Sequence, residues 1–132
     1  MSGKVKSLRS ALGTARGLGT AKSGTEHWML QRMTALALIP LTLYVLIGFF
    51  NNAVSGGYSG AMYWLQSPLA ATFTILMLLA GLRHGVIGLQ VVIEDYIHCE
   101  ATKIGLQFVI QFIAASLAIL GTLSVAKIFF GV

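Results

Sequence analysis

The sequence predicts an all-α membrane protein with three transmembrane helices, and three observations carry that reading. The 132 residues are 56% hydrophobic and 10% charged, with a mean hydropathy of +0.81, whereas soluble domains are typically about 25% charged. Between Arg32 and Arg83 there is no Asp, Glu, Lys, Arg or His, and a second such stretch runs from Ile104 to Ala126. A spanning helix takes about 20 apolar residues, so three spans fit and four do not.

The spans are expected at about residues 32–50, 68–93 and 104–130, making 32–132 a three-helix transmembrane domain behind a basic arm of residues 1–31 that ends in a short pre-helix. Span one starts after Arg32 and is expected to stop where Asn51-Asn52, Ser55-Gly56-Gly57 and Ser59-Gly60 punctuate the chain. That first connection is uncharged and carries Tyr58, Tyr63 and Trp64 as interface anchors. Span two is the longest and holds the polar residues. The second connection, Glu94 to Lys103, is short and charged, so spans two and three form an antiparallel hairpin.

Cations set the orientation. Lys4, Lys6, Arg9, Arg16, Lys22 and Arg32 all precede span one, while the 51–67 connection has none. By the positive-inside rule the N-terminus is cytoplasmic, and the loop carrying Asp95, Tyr96 and His98 lies at the inner face. The net charge of +5 is a topology signal and a contact with anionic lipid, not a nucleic-acid surface. A basic, Ser-containing tail without an acid before Glu26 also describes an organellar transit peptide; its retention favours a bacterial inner membrane over a mitochondrial one. Gly17-Leu18-Gly19 lacks the Walker spacing, and the segment reads as a flexible arm.

The single cysteine, Cys99, makes no internal disulfide and cannot hold an iron–sulfur cluster alone. No dinucleotide fingerprint or nucleophile triad is present, so the chain reads as one piece of a larger enzyme, without a catalytic residue of its own. His84 stands out because it lies in the middle of an apolar run, where an ionisable group is a functional hypothesis by default. A neutral imidazole is a good haem-iron ligand, and a membrane b-type haem commonly takes two of them across a helical bundle. Here only His84 is deep enough, so the second would come from another subunit. Gly81, Gly85 and Gly88 lie at helical spacings around it, and Gly81 and Gly85 form a small-xxx-small pair that admits a macrocycle or a partner helix. An alternative is that His84 only hydrogen-bonds across the bundle while the glycines pack.

Arg83 points about 100° away from His84 on a helical wheel and has three candidate partners: a propionate, a partner carboxylate or water. Arg32 suits a propionate or a lipid phosphate equally. Glu94-Asp95-Tyr96 lies about 18 Å along the axis from His84. A phenol there can donate to a quinone carbonyl and a carboxylate can relay protons; equally, Tyr is a belt residue and acids cap helices.

The run His84-Gly85-Val86-Ile87-Gly88-Leu89-Gln90-Val91-Val92-Ile93-Glu94-Asp95-Tyr96 closely resembles the signature of the hydrophobic membrane anchor of succinate dehydrogenase, the smaller of the two cytochrome b556 anchors of respiratory complex II. Gly24-Thr25-Glu26-His27-Trp28, Gln31-Arg32-Met33-Thr34-Ala35 and Leu41-Thr42-Leu43-Tyr44 extend the resemblance over nearly the whole chain from about Ser23. It implies a heterodimeric anchor bundle in which the residue matching His84 is an axial ligand of haem b, the other ligand coming from the larger anchor. It implies ubiquinone as substrate, hydrogen-bonded by Tyr96 with Asp95 in proton relay, and places His27 and Arg32 near the haem propionates. Partners implied are the larger anchor, the iron–sulfur subunit and the flavoprotein subunit, in a complex of the tricarboxylic acid cycle and respiratory electron transport. A fumarate-reducing relative shares the pattern. A different class, a proton or ion transporter lined by Arg83, His84 and Asp95, predicts no haem and no soluble partners, and a purely structural adaptor predicts that His84 is dispensable.

Overall fold

A computed structural model describes residues 21–131. The basic arm through residue 20, with its glycine-rich stretch, lies outside the described residues. Three long helices account for nearly all of the rest: α1 (Ala21–Leu65), α2 (Pro68–Tyr96) and α3 (Glu100–Phe130). Each is long and apolar enough to cross a membrane, as the sequence predicts.

α1 departs from expectation at both ends. It begins at Ala21, so the expected separate pre-helix and span one are a single helix, and it continues through the expected 51–67 connection to Leu65. The chain reversal is concentrated at Gly57, the one non-helical residue inside α1, at φ 59° and ψ −147°, a backbone state that essentially only glycine adopts. Beyond it, residues 58–65 double back along residues 44–52. A side chain at Gly60 would collide with the Asn52 carbonyl, and one at Gly48 with the Trp64 indole. Trp64 also lies 6.0 Å from Tyr44, which in turn lies 4.8 Å from Phe73 of α2. Asn and Ser in this segment are not loop formers here, because their side chains bond the preceding turn: Asn52 donates to Gly48 O and Ser55 to Asn51 O. Pro40 sits within α1.

Ser67 starts α2. Its hydroxyl accepts from the Ala70 N–H and donates to Trp64 O, and Pro68 fills a first-turn position where a missing N–H costs nothing. The α2–α3 connection is only residues 97–99, shorter than the expected Glu94 to Lys103 loop, because both helices run on by several residues. α3 closes on Gly131 in the left-handed region at φ 70°.

α2 is the central helix; it packs against both neighbours, while α1 and α3 barely meet. Among the described residues Ile87 of α2 is the one large side chain that is fully buried. Leu36, Ile39, Leu43, Ile47 and Phe50 form an exposed apolar stripe on α1, at the spacing of one helix face. An open layer of this kind leaves its apolar surface to lipid and to other helices.

Candidate functional site

α1 and α2 run antiparallel in a register fixed by three contacts. A Cβ at Gly81 would lie 3.7 Å from Leu38, and one at Gly88 would lie 3.7 Å from the Gln31 amide nitrogen. Between them the Thr34 hydroxyl lies 3.0 Å from His84 Nδ1. Glycines one turn to either side of His84 let the backbones approach closely enough for a side chain as short as threonine to reach the imidazole. Gly85, by contrast, has open space where its Cβ would be. The Gly81/Gly85 pair therefore does not act as one packing face; within this chain the packing pair is Gly81 and Gly88.

Among the described residues His84 has no hydrogen-bond partner besides Thr34, so Nε2 is unpaired. The side-chain carbonyl oxygen of Gln31, on the same α1 face, is buried without a partner. An unsatisfied buried oxygen of this kind is costly unless a further group meets it. No cluster of three or more His, Cys, Asp or Glu occurs among the described residues.

The remaining expected site residues are placed apart. Arg32 is exposed, with its guanidinium 4.6 Å above the Trp28 ring, a cation–π contact that accounts for its position within this chain. His27 belongs to the α1 backbone, and its side chain lies outside the described residues. Arg83 is exposed and lines an open cleft of about 540 Å³ between α2 and α3 with Leu82, Gln111, Ala114 and Ala118. A second cleft, of about 270 Å³, opens beside Gly81 and Gly85 on the same helix pair.

At the end of α2 the three neighbours Glu94, Asp95 and Tyr96 divide their roles. Glu94 accepts from Gln90 at 3.0 Å and from Gln107 of α3 at 3.3 Å, which ties the two helices together. The Asp95 and Tyr96 side chains have no hydrogen bond among the described residues, and Tyr96 is 76% exposed. Their polar atoms are presented outward for another molecule. In the adjoining loop the Thr102 hydroxyl, followed by the Thr102 and Ala101 main-chain N–H groups, holds the Cys99 thiol below its ordinary pKa; this accompanies a helix start at which Cys99 makes no true capping bond.

Sequence reasoning missed Thr34 and Gln31 as parts of the site. Thr34 was visible only as a member of a short motif, and its contact with His84 depends on a register between two helices fifty residues apart.

A multi-pass helical membrane subunit with a mid-span histidine and an exposed acidic-aromatic helix end is the class that fold and site define. Residues 6–122 match the family model described as succinate dehydrogenase/fumarate reductase transmembrane subunit. Similar proteins include the succinate dehydrogenase hydrophobic membrane anchor subunit of Rickettsia bellii (strain RML369-C), 35% identical over 97 residues covering 73% of this chain and 76% of the relative. The succinate dehydrogenase membrane anchor subunit of Reclinomonas americana is 36% identical over 101 residues, 70% of this chain and 79% of the relative. The succinate dehydrogenase hydrophobic membrane anchor subunit of Paracoccus denitrificans is 28% identical over 99 residues, 74% of this chain and 75% of the relative. The chain belongs to the succinate dehydrogenase/fumarate reductase transmembrane subunit family.

Proposed function

We propose that the chain is the smaller hydrophobic anchor of a succinate:quinone oxidoreductase, supplying one axial ligand to haem b and part of the ubiquinone-reduction site. The observation that carries this reading is His84, mid-span on α2, with Nδ1 held by Thr34 and Nε2 unpaired. The residues present fit the group: an imidazole whose Nε2 has no protein partner among the described residues, and a buried Gln31 oxygen without a partner on the facing helix. A b-type haem bound there supplies a one-electron store in a low-dielectric site.

The chain provides one such nitrogen, so the larger anchor provides the second. Succinate oxidation belongs to a flavoprotein subunit and electron delivery to an iron–sulfur subunit, since this chain's lone cysteine holds no cluster. At the helix end the Tyr96 phenol donates a hydrogen bond to a quinone carbonyl and orients the ring. Asp95, unpaired beside it, passes protons to the reduced oxygen from the cytoplasmic side. Glu94 is occupied in joining α2 to α3 and does not share that work. The basic residues toward the N-terminus support a cytoplasmic position for this end of α2 by the positive-inside rule, in a bacterial inner membrane on the proposed reading.

The test is isolation of the complex through this chain from detergent-solubilised membranes. Flavin, iron–sulfur centres and a b-type haem are expected in one particle. Tyr96→Phe is expected to lower succinate-dependent quinone reduction roughly 10- to 100-fold with haem content and assembly unchanged. A particle with neither soluble partners nor haem moves the assignment to the transporter class, and full activity in Tyr96→Phe removes Tyr96 from the quinone site.

A further inference from the structure

Resting on the ligand reading of His84, we propose that Thr34 is a positioning residue for that histidine: its hydroxyl fixes the imidazole tautomer and so tunes the bound iron. The Thr34 oxygen has three neighbours, Leu30 O at 2.8 Å, Gln31 O at 3.0 Å and His84 Nδ1 at 3.0 Å. A hydroxyl carries one proton, and main-chain carbonyls only accept. Were that proton given to Nδ1, the oxygen's lone pairs would face two carbonyl oxygens at hydrogen-bond distance. The proton therefore goes to the preceding turn of α1, and Thr34 meets the imidazole as an acceptor. Nδ1 is then the protonated nitrogen, and the lone pair is on Nε2.

The arrangement is held from both sides. The close approaches at Gly81 and Gly88 fix the α1–α2 spacing at this level, and the doubly engaged hydroxyl has little rotational freedom. An Nδ1–H that donates to an oxygen makes the other nitrogen a stronger donor, which favours the oxidised iron and lowers the reduction potential. Removal of the acceptor raises it.

The experiment is a redox titration of the b-haem absorption in the purified complex, with wild type beside Thr34→Val, Thr34→Ala and Thr34→Ser. Val keeps the volume without the oxygen, and Ser keeps the oxygen without the methyl. At the wild-type midpoint, Val and Ala are expected to show a reduced-to-oxidised ratio roughly fivefold higher, as the loss of one hydrogen bond implies, with Ser within about twofold of wild type. The proposal is overturned by Val and Ala titrating with wild type, by Ser shifting as Val does, or by loss of assembly in Val and Ala alike, which marks a structural hydroxyl. Failure of Ser to assemble overturns it too, since the oxygen is retained. A haem that survives His84→Ala sinks the ligand reading itself, whereas a His84-dependent haem whose titration ignores Thr34 sinks this proposal alone.

Discussion

The two interfaces of α2 are built to different standards. Toward α1 the contact is continuous: Leu38 against Gly81, Thr34 on His84, and Gln31 against Gly88. Toward α3 the helix packs along much of its length too, but its two most specific contacts lie far apart. Leu78 presses on Gly121 at one end and Glu94 bonds Gln107 at the other, about 24 Å apart along α2 by helical rise. Between them lie the clefts of about 540 and 270 Å³. The histidine faces the tight interface and the arginine the loose one. The one side-chain contact that engages the imidazole, from Thr34, comes from the α1 side.

Substitutions at the two interfaces test this contrast. The largest effect is expected at Gly88. Alanine there meets Gln31 at ordinary contact distance and is tolerated, whereas Gly88→Leu drives α1 from α2 at a cost of about 1–3 kcal/mol and, on the proposed ligand role of His84, is expected to lower b-type haem content. Thermal denaturation and pigment content of the complex report both, and a stable, pigmented Gly88→Leu would show that the interface is not tight. Next comes Glu94→Ala, which removes one end of the α2–α3 tie and costs about 0.5–1.5 kcal/mol in the same melting assay without touching the haem band. Loss of the band there would couple the loose interface to His84. Smallest is Ala115→Leu, which projects into the open cleft; its effect is expected within about 0.5 kcal/mol, and a larger destabilisation would mean that the cleft closes around something.

The class, the three spans and the hairpin of α2 with α3 were legible because desolvation dictates them: charge-free runs of this length have few other resting places. Residues 51–65 were misread for a physical reason. Asn, Ser and Gly mark turns in water, yet here Asn52 and Ser55 bond back to the preceding turn, and one glycine, Gly57, performs the whole reversal. His84 stands out from its chemistry alone as a candidate residue. Its partner does not, since Thr34 is unremarkable until the register of α1 against α2 is known. Glycine spacing left the packing partner open: within this chain the crossing of α1 and α2 uses Gly81 and Gly88 and leaves Gly85 open. At the helix end the triplet Glu94-Asp95-Tyr96 reads as one cluster, and only coordinates separate the carboxylate used for packing from the two groups left unpaired.

The most direct test of the central claim, that the tight α1–α2 interface presents His84 as a haem ligand, is a reduced-minus-oxidised optical spectrum of the complex purified through this chain, wild type beside His84→Ala. The account predicts a b-type α-band in wild type that is lost or shifted in the variant while the soluble subunits still co-purify. An identical band in both would contradict it.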